Sequence, residues 1–463
     1  MLNGKDTKTV FSGLATFLYA PAVALSGGLL CRFVPESGQW LVSLFLLLLS
    51  IVSYLFYARI GCCLVDLRAL LSLSWLAGLG IANLRLSNMH SPWTDHSVLC
   101  FFGFYALTML GYETCMCFPK KNEEDISGPK EESKTGHVLY RLILITAAVS
   151  FLCFCLEVII LGYIPLFDTR THAYNWFHVT GLHYFTFSSM FTHALTILYL
   201  LQVKKENRTR KQKRIIWTAN LLSILIPVLC ISKLQFLLIF FYPVVILLLL
   251  LRFRKFSDLP VKKIAIVVCG MVFVFMLALI VFTARRNYPE GYLDQIYDMK
   301  ASGTPEIGQI LYMYTSNNYA NFNHMTLTLT EHSGGLRMAF PIVALTGMKF
   351  VIPSLVPPDP LLIKPELSTL TLIYDAYYDF GVGGVFLFSA ALGVLLAGIT
   401  RLKDRKHKTN PIVLLMYAEI SLYVTLSFFD TWFSNPTCWF WFAVTMLMYI
   451  YVEYQRRKGN GKS

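Results

Sequence analysis

Charge is scarce in this 463-residue chain. Asp, Glu, Lys and Arg make up 14% of it, the hydrophobic set reaches 56%, and the mean hydropathy is +0.56. Soluble domains carry about 25% charged residues, and a soluble chain of this length needs a polar surface around two or three domains. Too few charges are present to build that surface, which excludes a soluble enzyme and equally a disordered or collagen-like chain. A cysteine framework is also missing. Most of the eleven cysteines lie in apolar stretches, as do Cys153, Cys155 and Cys230, and read as small apolar side chains. Cys115 and Cys117 form a lone C-x-C without a second pair, which falls short of a metal site. The chain contains no GxxxxGK, GxGxxG or HExxH, so nucleotide chemistry on the short inner loops is excluded, and neither a metal nor another cofactor is expected.

Apolar length is abundant. A bilayer-spanning helix needs about 20 mostly apolar residues. Such stretches fall at about 10–31, 40–58, 67–84, 97–117, 140–161, 184–202, 215–232, 234–251, 264–283, 382–400, 411–429 and 437–454. The first is too long for a cleavable leader. The sequence therefore predicts an all-α, polytopic protein of twelve spans forming one membrane domain, 1–463. The formal net charge of +13 is explained by basic inner loops such as KKENRTRKQKR and RLKDRKHK rather than by nucleic acid. With both termini placed inside, all but ten of the 40 Lys and Arg fall on the inner side. Joining the seventh and eighth spans would place RFRKF and RLKDRKHK on opposite faces, so the asymmetry favours twelve.

Two outer segments stand out, a short one at 162–183 and a long one at 284–381. The long one is rich in Tyr, Asn, Pro and Gly and contains the broken apolar run MAFPIVALTGMKFVIPSLV, predicted as an interfacial or re-entrant helix. Long connections of this kind are usually functional. The outer basic residues are Arg32, Arg85, Arg170, Lys233, Arg285, Arg286, Lys300, Arg337, Lys349 and Lys364. Their placement runs against the positive-inside bias and suits a lipid-linked phosphate. Histidines are biased outward as well, at His90, His96, His172, His178, His183, His324 and His332. Two acids lie within spans, Glu157 and Glu419, and such acids usually face a bundle interior.

Three stretches resemble the oligosaccharide repeat unit polymerase family, the Wzy-type O-antigen and capsule polymerases. They are LGYIPLFDTRTHAYNWFHVTGLHYFTFS from Leu161, NNYANFNHMTLTLTEHSGGLRMAFPIVALTG from Asn317, and STLTLIYDAYYDFGVGGV from Ser368. Order and spacing agree from about 140 to 400, whereas the first 130 residues match only in hydropathy. Lys233 stands where the family often has Arg, and Ser368 begins the element that is N-T-x-T in the family.

The resemblance implies a GT-C-like membrane glycosyltransferase. It would move a growing glycan from undecaprenyl pyrophosphate to a new lipid-linked repeat unit, on the outer face of the cytoplasmic (inner) membrane and without a metal. The product would be O-antigen, capsule or exopolysaccharide. Implied partners are the lipid-linked oligosaccharide, membrane lipids, a flippase and a chain-length regulator, with no nucleic acid. Breaking the glycosidic bond to pyrophosphate calls for cations, here Arg170, Lys233, Arg285, Arg286 and Arg337. An acceptor hydroxyl calls for a base, for which His183, His172 and His324 are candidates, with Glu157, Asp375 and Asp379 as alternatives. Tyr374 and Tyr378 would line the glycan path, and Asp379 would bind substrate or shape the turn into the tenth span. A ligase-type glycan transferase, a lipid-linked sugar flippase and a membrane sensor or scaffold are the competing readings, the last disfavoured by inner loops too short to supply a partner domain. The long outer loop argues against the flippase.

Overall fold

The computed structural model describes residues 4–118, 129–168, 170, 173–253, 269–270 and 291–460. Its longer helices are α1 (Gly4–Phe33), α2 (Gln39–Ile60), α3 (Leu67–Ala82), α4 (Asp95–Cys117), α5 (Pro129–Leu161), α6 (Ala173–Trp176, a single turn), α7 (Leu182–Phe187), α8 (Met190–Gln202), α9 (Arg210–Leu229) and α10 (Lys233–Phe253). After residue 291 come α11 (Tyr292–Tyr297), α12 (Glu306–Thr328), α13 (Leu336–Leu345), α14 (Met348–Val351), α15 (Tyr374–Lys406), α16 (Ile412–Thr425) and α17 (Pro436–Asn460). Among the described residues the only β pairing is an isolated antiparallel bridge, Ser87 to Met299.

Seven helical segments are long and apolar enough to cross a membrane by length and composition: Ala15–Phe33, Glu36–Ile60, Asp95–Cys117, Thr135–Leu161, Leu182–Gln202, Lys233–Leu250 and Tyr374–Lys406. The chain is therefore an all-helical, multi-pass membrane protein in character. Three further apolar helices, Leu67–Ala82, Leu336–Leu345 and Ile412–Thr425, are shorter. Of the remaining predicted spans, 215–232 falls on α9, whose first turn is basic, and 437–454 falls within α17. The span predicted at 264–283 lies outside the described residues, apart from 269–270.

Two compact units make up the fold. The first is Met1–Lys121, Pro289–Arg401 and Tyr423–Trp439, and the second is Asn122–Tyr288, Leu402–Leu422 and Phe440–Ser463.

In the first unit α1 packs on α4, α2 on α3, and α12 on α3 and α4. Trp75 is the hub. Its ring lies against Phe104, Phe101 and Tyr319, its Nε1 donates to the Phe101 carbonyl at 3.0 Å, and Tyr319 donates to the Trp75 carbonyl at 2.8 Å. The expected outer loop is thus largely helical, and α12 is one of its core elements. This amphipathic-poor, asparagine-rich helix is buried because its asparagines bond irregular backbone. Asn317 and Asn321, one turn apart, both donate to the Leu367 carbonyl, and Asn321 also donates to that of Thr369. Asn323 donates to Ser91 Oγ and the Pro92 carbonyl and accepts from the Thr94 amide. Non-helical backbone away from water needs such partners. The run 338–356 forms α13 and α14, split at Gly347.

Helices α4 and α15 touch backbone to backbone. A Cβ on Gly111 would sit 2.5 Å from the Ala390 carbonyl oxygen, and one on Gly393 would strike the Thr108 carbonyl. Small residues permit this approach. Gly393→Ala is expected to lower stability by about 1–3 kcal/mol, read as a lower thermal midpoint of the detergent-solubilised protein.

The second unit is a bundle in which α5, α8, α9 and α10 pack on one another, with α7 against α5. Thr209 and Gln212 form a capping box that starts α9. Ile231, at φ 52, turns the chain into α10.

Candidate functional site

Within the second unit the structure brings two predicted residues into contact. Glu157, on the last two turns of α5, is fully buried, and His183 sits in α7 with a side chain 17% exposed. His183 Nδ1 lies 2.9 Å from Glu157 Oε1 and 3.1 Å from Oε2. The Val179 amide donates to Oε1 at 3.1 Å, and Thr186 Oγ1 donates to Oε2 at 2.7 Å. The carboxylate therefore accepts from three sides. That arrangement places the imidazole proton on Nδ1 and leaves Nε2 as the basic nitrogen. Among the described residues Nε2 has no hydrogen-bond partner. The His183 ring is bounded by His178 at 5.1 Å and Phe187 at 4.5 Å. Thr186 and Val179 were not legible as partners from the sequence. The i, i+3 spacing of His183 and Thr186 on one helical face was the available signal.

Arg170 and Lys233 belong to the same unit. The Arg170 side chain is 63% exposed, pairs with Asp168 at 2.5 Å and lies 4.5 Å over the Tyr163 ring. That pairing holds the Asp168 carboxyl below its usual range. Tyr163 packs on Phe177 and, with Cys155 and Val158, on the buried cluster of Phe154, Phe177, Ile226 and Cys230. One apolar cluster thus ties together the segments that carry Glu157, Arg170 and His183 and the hairpin that leads to Lys233, the first residue of α10. His172, Arg285 and Arg286 lie outside the described residues.

The other predicted residues belong to the first unit, where they form an internal network. Arg337 is buried on α13. Its Nε donates to Asp375 Oδ1 at 2.5 Å, its Nη1 donates to the Pro358 carbonyl at 2.6 Å, and its guanidinium lies over the Tyr378 and Tyr374 rings at 4.9 and 5.6 Å. Asp375 Oδ2 accepts from Ser434 Oγ at 2.6 Å. Asp379 caps α13 from a distant point in the chain. It accepts from Ser333 Oγ and from the amides of Arg337 at 3.2 Å and Met338 at 2.8 Å. Tyr374 OH bonds the backbone of Leu361. Arg337, Asp379, Tyr374 and Tyr378 are therefore engaged in holding α13 and the start of α15. Gly381, at φ 64 and ψ −152, breaks α15 just after Asp379, a backbone geometry reserved to glycine. His324 lies on α12, and its side chain has no hydrogen-bond partner among the described residues. His90 is a buried histidine bonded to Tyr312 OH at 3.0 Å. Burial, with the charges of Lys300 and Arg85, pushes it down to about 4.

Beside this network is a carboxyl that the sequence reading passed over. Burial, with the charge of Asp375, pushes Asp430 up to about 6. Between about pH 4 and 6 the folded chain holds this proton and the unfolded chain does not, so stability falls as pH rises through that window. Asp430→Asn is expected to flatten that slope and to raise stability near pH 7 by on the order of 2 kcal/mol. Denaturation followed from pH 4 to 7 reads both effects.

No group of three or more His, Cys, Asp or Glu placed to hold a metal ion occurs among the described residues. Comparison with known proteins finds no matching family model, no matching curated protein and no matching solved structure.

Proposed function

We propose that this chain is a membrane glycosyltransferase that polymerises lipid-linked oligosaccharide repeat units on the outer face of the cytoplasmic membrane. In this reading twelve spans place both termini inside and the Glu157–His183 pair near the outer face. The observation that carries the reading is that pair. A buried carboxylate fixes the imidazole tautomer and aims a basic Nε2 away from the hydrogen-bonded core. Such a nitrogen is suited to take the proton of an acceptor sugar hydroxyl as it attacks the anomeric carbon. The bond to undecaprenyl pyrophosphate breaks in the same step, and the departing pyrophosphate carries the bonding electrons. Arg170 and Lys233 are the described cations of that unit suited to meet it. No metal or cofactor takes part in the proposed step.

The test is elongation of a synthetic undecaprenyl-pyrophosphate-linked repeat unit by the purified protein in liposomes. A ladder of lipid-linked products is expected. Transfer only onto an unrelated acceptor would assign the chain to the ligases, and movement across the bilayer without bond formation would assign it to the flippases. Either result overturns the proposal.

A further inference from the structure

Polar side chains inside the second unit extend far beyond the Glu157–His183 pair. On α5, Thr146, Ser150 and Glu157 recur at spacings of four and seven residues, which places them on one face. All three are buried. From Glu157 to Thr146 the stripe runs about 16 Å into the bundle, at 1.5 Å per residue.

Neighbouring helices meet this stripe with polar groups of their own. Thr146 Oγ1 lies 3.3 Å from Thr192 Oγ1 on α8. Asn220 on α9 donates to Thr196 Oγ1 at 2.9 Å and to the Ile216 carbonyl at 2.8 Å, and His193 lies between Thr192 and Thr196 on α8. Phe154 packs in one cluster with Ile226 and Cys230, and Glu157 acts electrostatically on Cys230. Helices α5 and α9 therefore pack side by side at this level. Seven residues before Glu157 on α5 is Ser150, and seven before Cys230, on α9, is Ser223. Gln235, two residues into α10, and Ser189, at the start of α8, stand nearer the Glu157 end.

Four of these buried side chains and the partly buried His193 have polar atoms with no partner among the described residues: Ser150 Oγ, Ser189 Oγ, Ser223 Oγ, both Oε1 and Nε2 of Gln235, and His193 Nε2. Ser150, Ser189 and Gln235 are wholly enclosed, and Ser223 is 1% exposed. Native proteins rarely bury polar atoms without partners, and where several converge, internal water supplies the missing bonds. Four helices contribute to this set, so chance placement of one serine does not account for it.

We propose that this seam holds a chain of internal water leading from the Glu157–His183 pair to His193, which is its inner end. Water is the ligand this chemistry selects, because the unmatched atoms are neutral donors and acceptors in mixture and the carboxylate among these side chains, Glu157, sits at one end. Such a chain offers a proton released at the pair a path into the bundle. That role rests on the pair acting as a base, whereas the presence of water does not.

Hydroxyl-radical footprinting of the full chain in lipid nanodiscs tests the seam without reference to glycan transfer. His193, partly buried and with its Nε2 enclosed, should be labelled well above background. Filling the seam with Ser150→Val and Ser223→Val should cut its labelling at least fivefold. The single variants Ser150→Ala and Ser223→Ala guard against a variant that fails to fold. In a hydrated seam each loses a bond to water and lowers the thermal midpoint, whereas in a dry seam each removes an unmatched hydroxyl and raises it. Background labelling of His193, a rate unchanged by the double substitution, or a raised midpoint in the alanine variants would overturn the proposal.

Discussion

His183→Ala should leave a folded protein that makes no long polymer, with elongation reduced about 10²–10⁴-fold, the range that a positioned general base contributes. The side chain is near the surface of its unit and its only hydrogen-bond partner among the described residues is Glu157, so its loss costs the fold little. Glu157→Gln should lower activity through orientation. The amide cannot accept at both oxygen positions, so either Thr186 or the Val179 amide loses its acceptor and His183 keeps only one of its two. Glu157→Ala should in addition weaken the fold by about 1–3 kcal/mol, because the Val179 amide and the Thr186 hydroxyl are left unmatched in a buried place. The assay is the ladder of lipid-linked products, read together with the thermal midpoint. Full-length ladders from a folded His183→Ala protein would falsify the base assignment.

The second large effect belongs to Arg337, and it should fall on stability first. Arg337→Ala leaves the Asp375 carboxylate buried with Ser434 as its one remaining side-chain donor among the described residues. Breaking a buried ion pair from one side costs about 3–5 kcal/mol, a large share of the 5–15 kcal/mol typical of a whole domain. Arg337→Lys should recover part of this, since an ammonium pairs with Asp375 but has no planar fork to reach the Pro358 carbonyl at the same time. The pair replacement Arg337→Met with Asp375→Leu should recover more, because neither charge is left stranded. Chemical or thermal denaturation of the solubilised protein separates these cases. Equal stability of wild type and Arg337→Ala would show that the pair does not hold α13, and would return Arg337 to the role of a substrate cation.

These two residues show what kind of information each level carries. Both were selected from the sequence for the same reason, a polar side chain on the outer side of a membrane protein. The structure separates them by what surrounds each one. His183 meets a single carboxylate and keeps one nitrogen without a partner among the described residues. Arg337 meets a carboxylate, a carbonyl and two aromatic faces. No local pattern distinguishes those environments, since Asp375 and Pro358 are 38 and 21 residues away along the chain. The asparagine run from Asn317 tells the same story. It reads as loop composition, and it is helical because its amides bond irregular backbone at Leu367, Thr369 and Pro92.

Hydropathy alone determined that this protein is helical and belongs in a membrane. Twenty apolar residues in a row have one stable way to satisfy their backbone in lipid, and that is local to the segment. The pairing of Glu157 with His183, the engagement of Arg337 and Asp379 in holding α13, and the polar seam between α5, α8, α9 and α10 were decided only by tertiary structure. Each joins groups on different segments, and whether a polar atom is satisfied, exposed or left for water depends on neighbours that the chain brings together by folding.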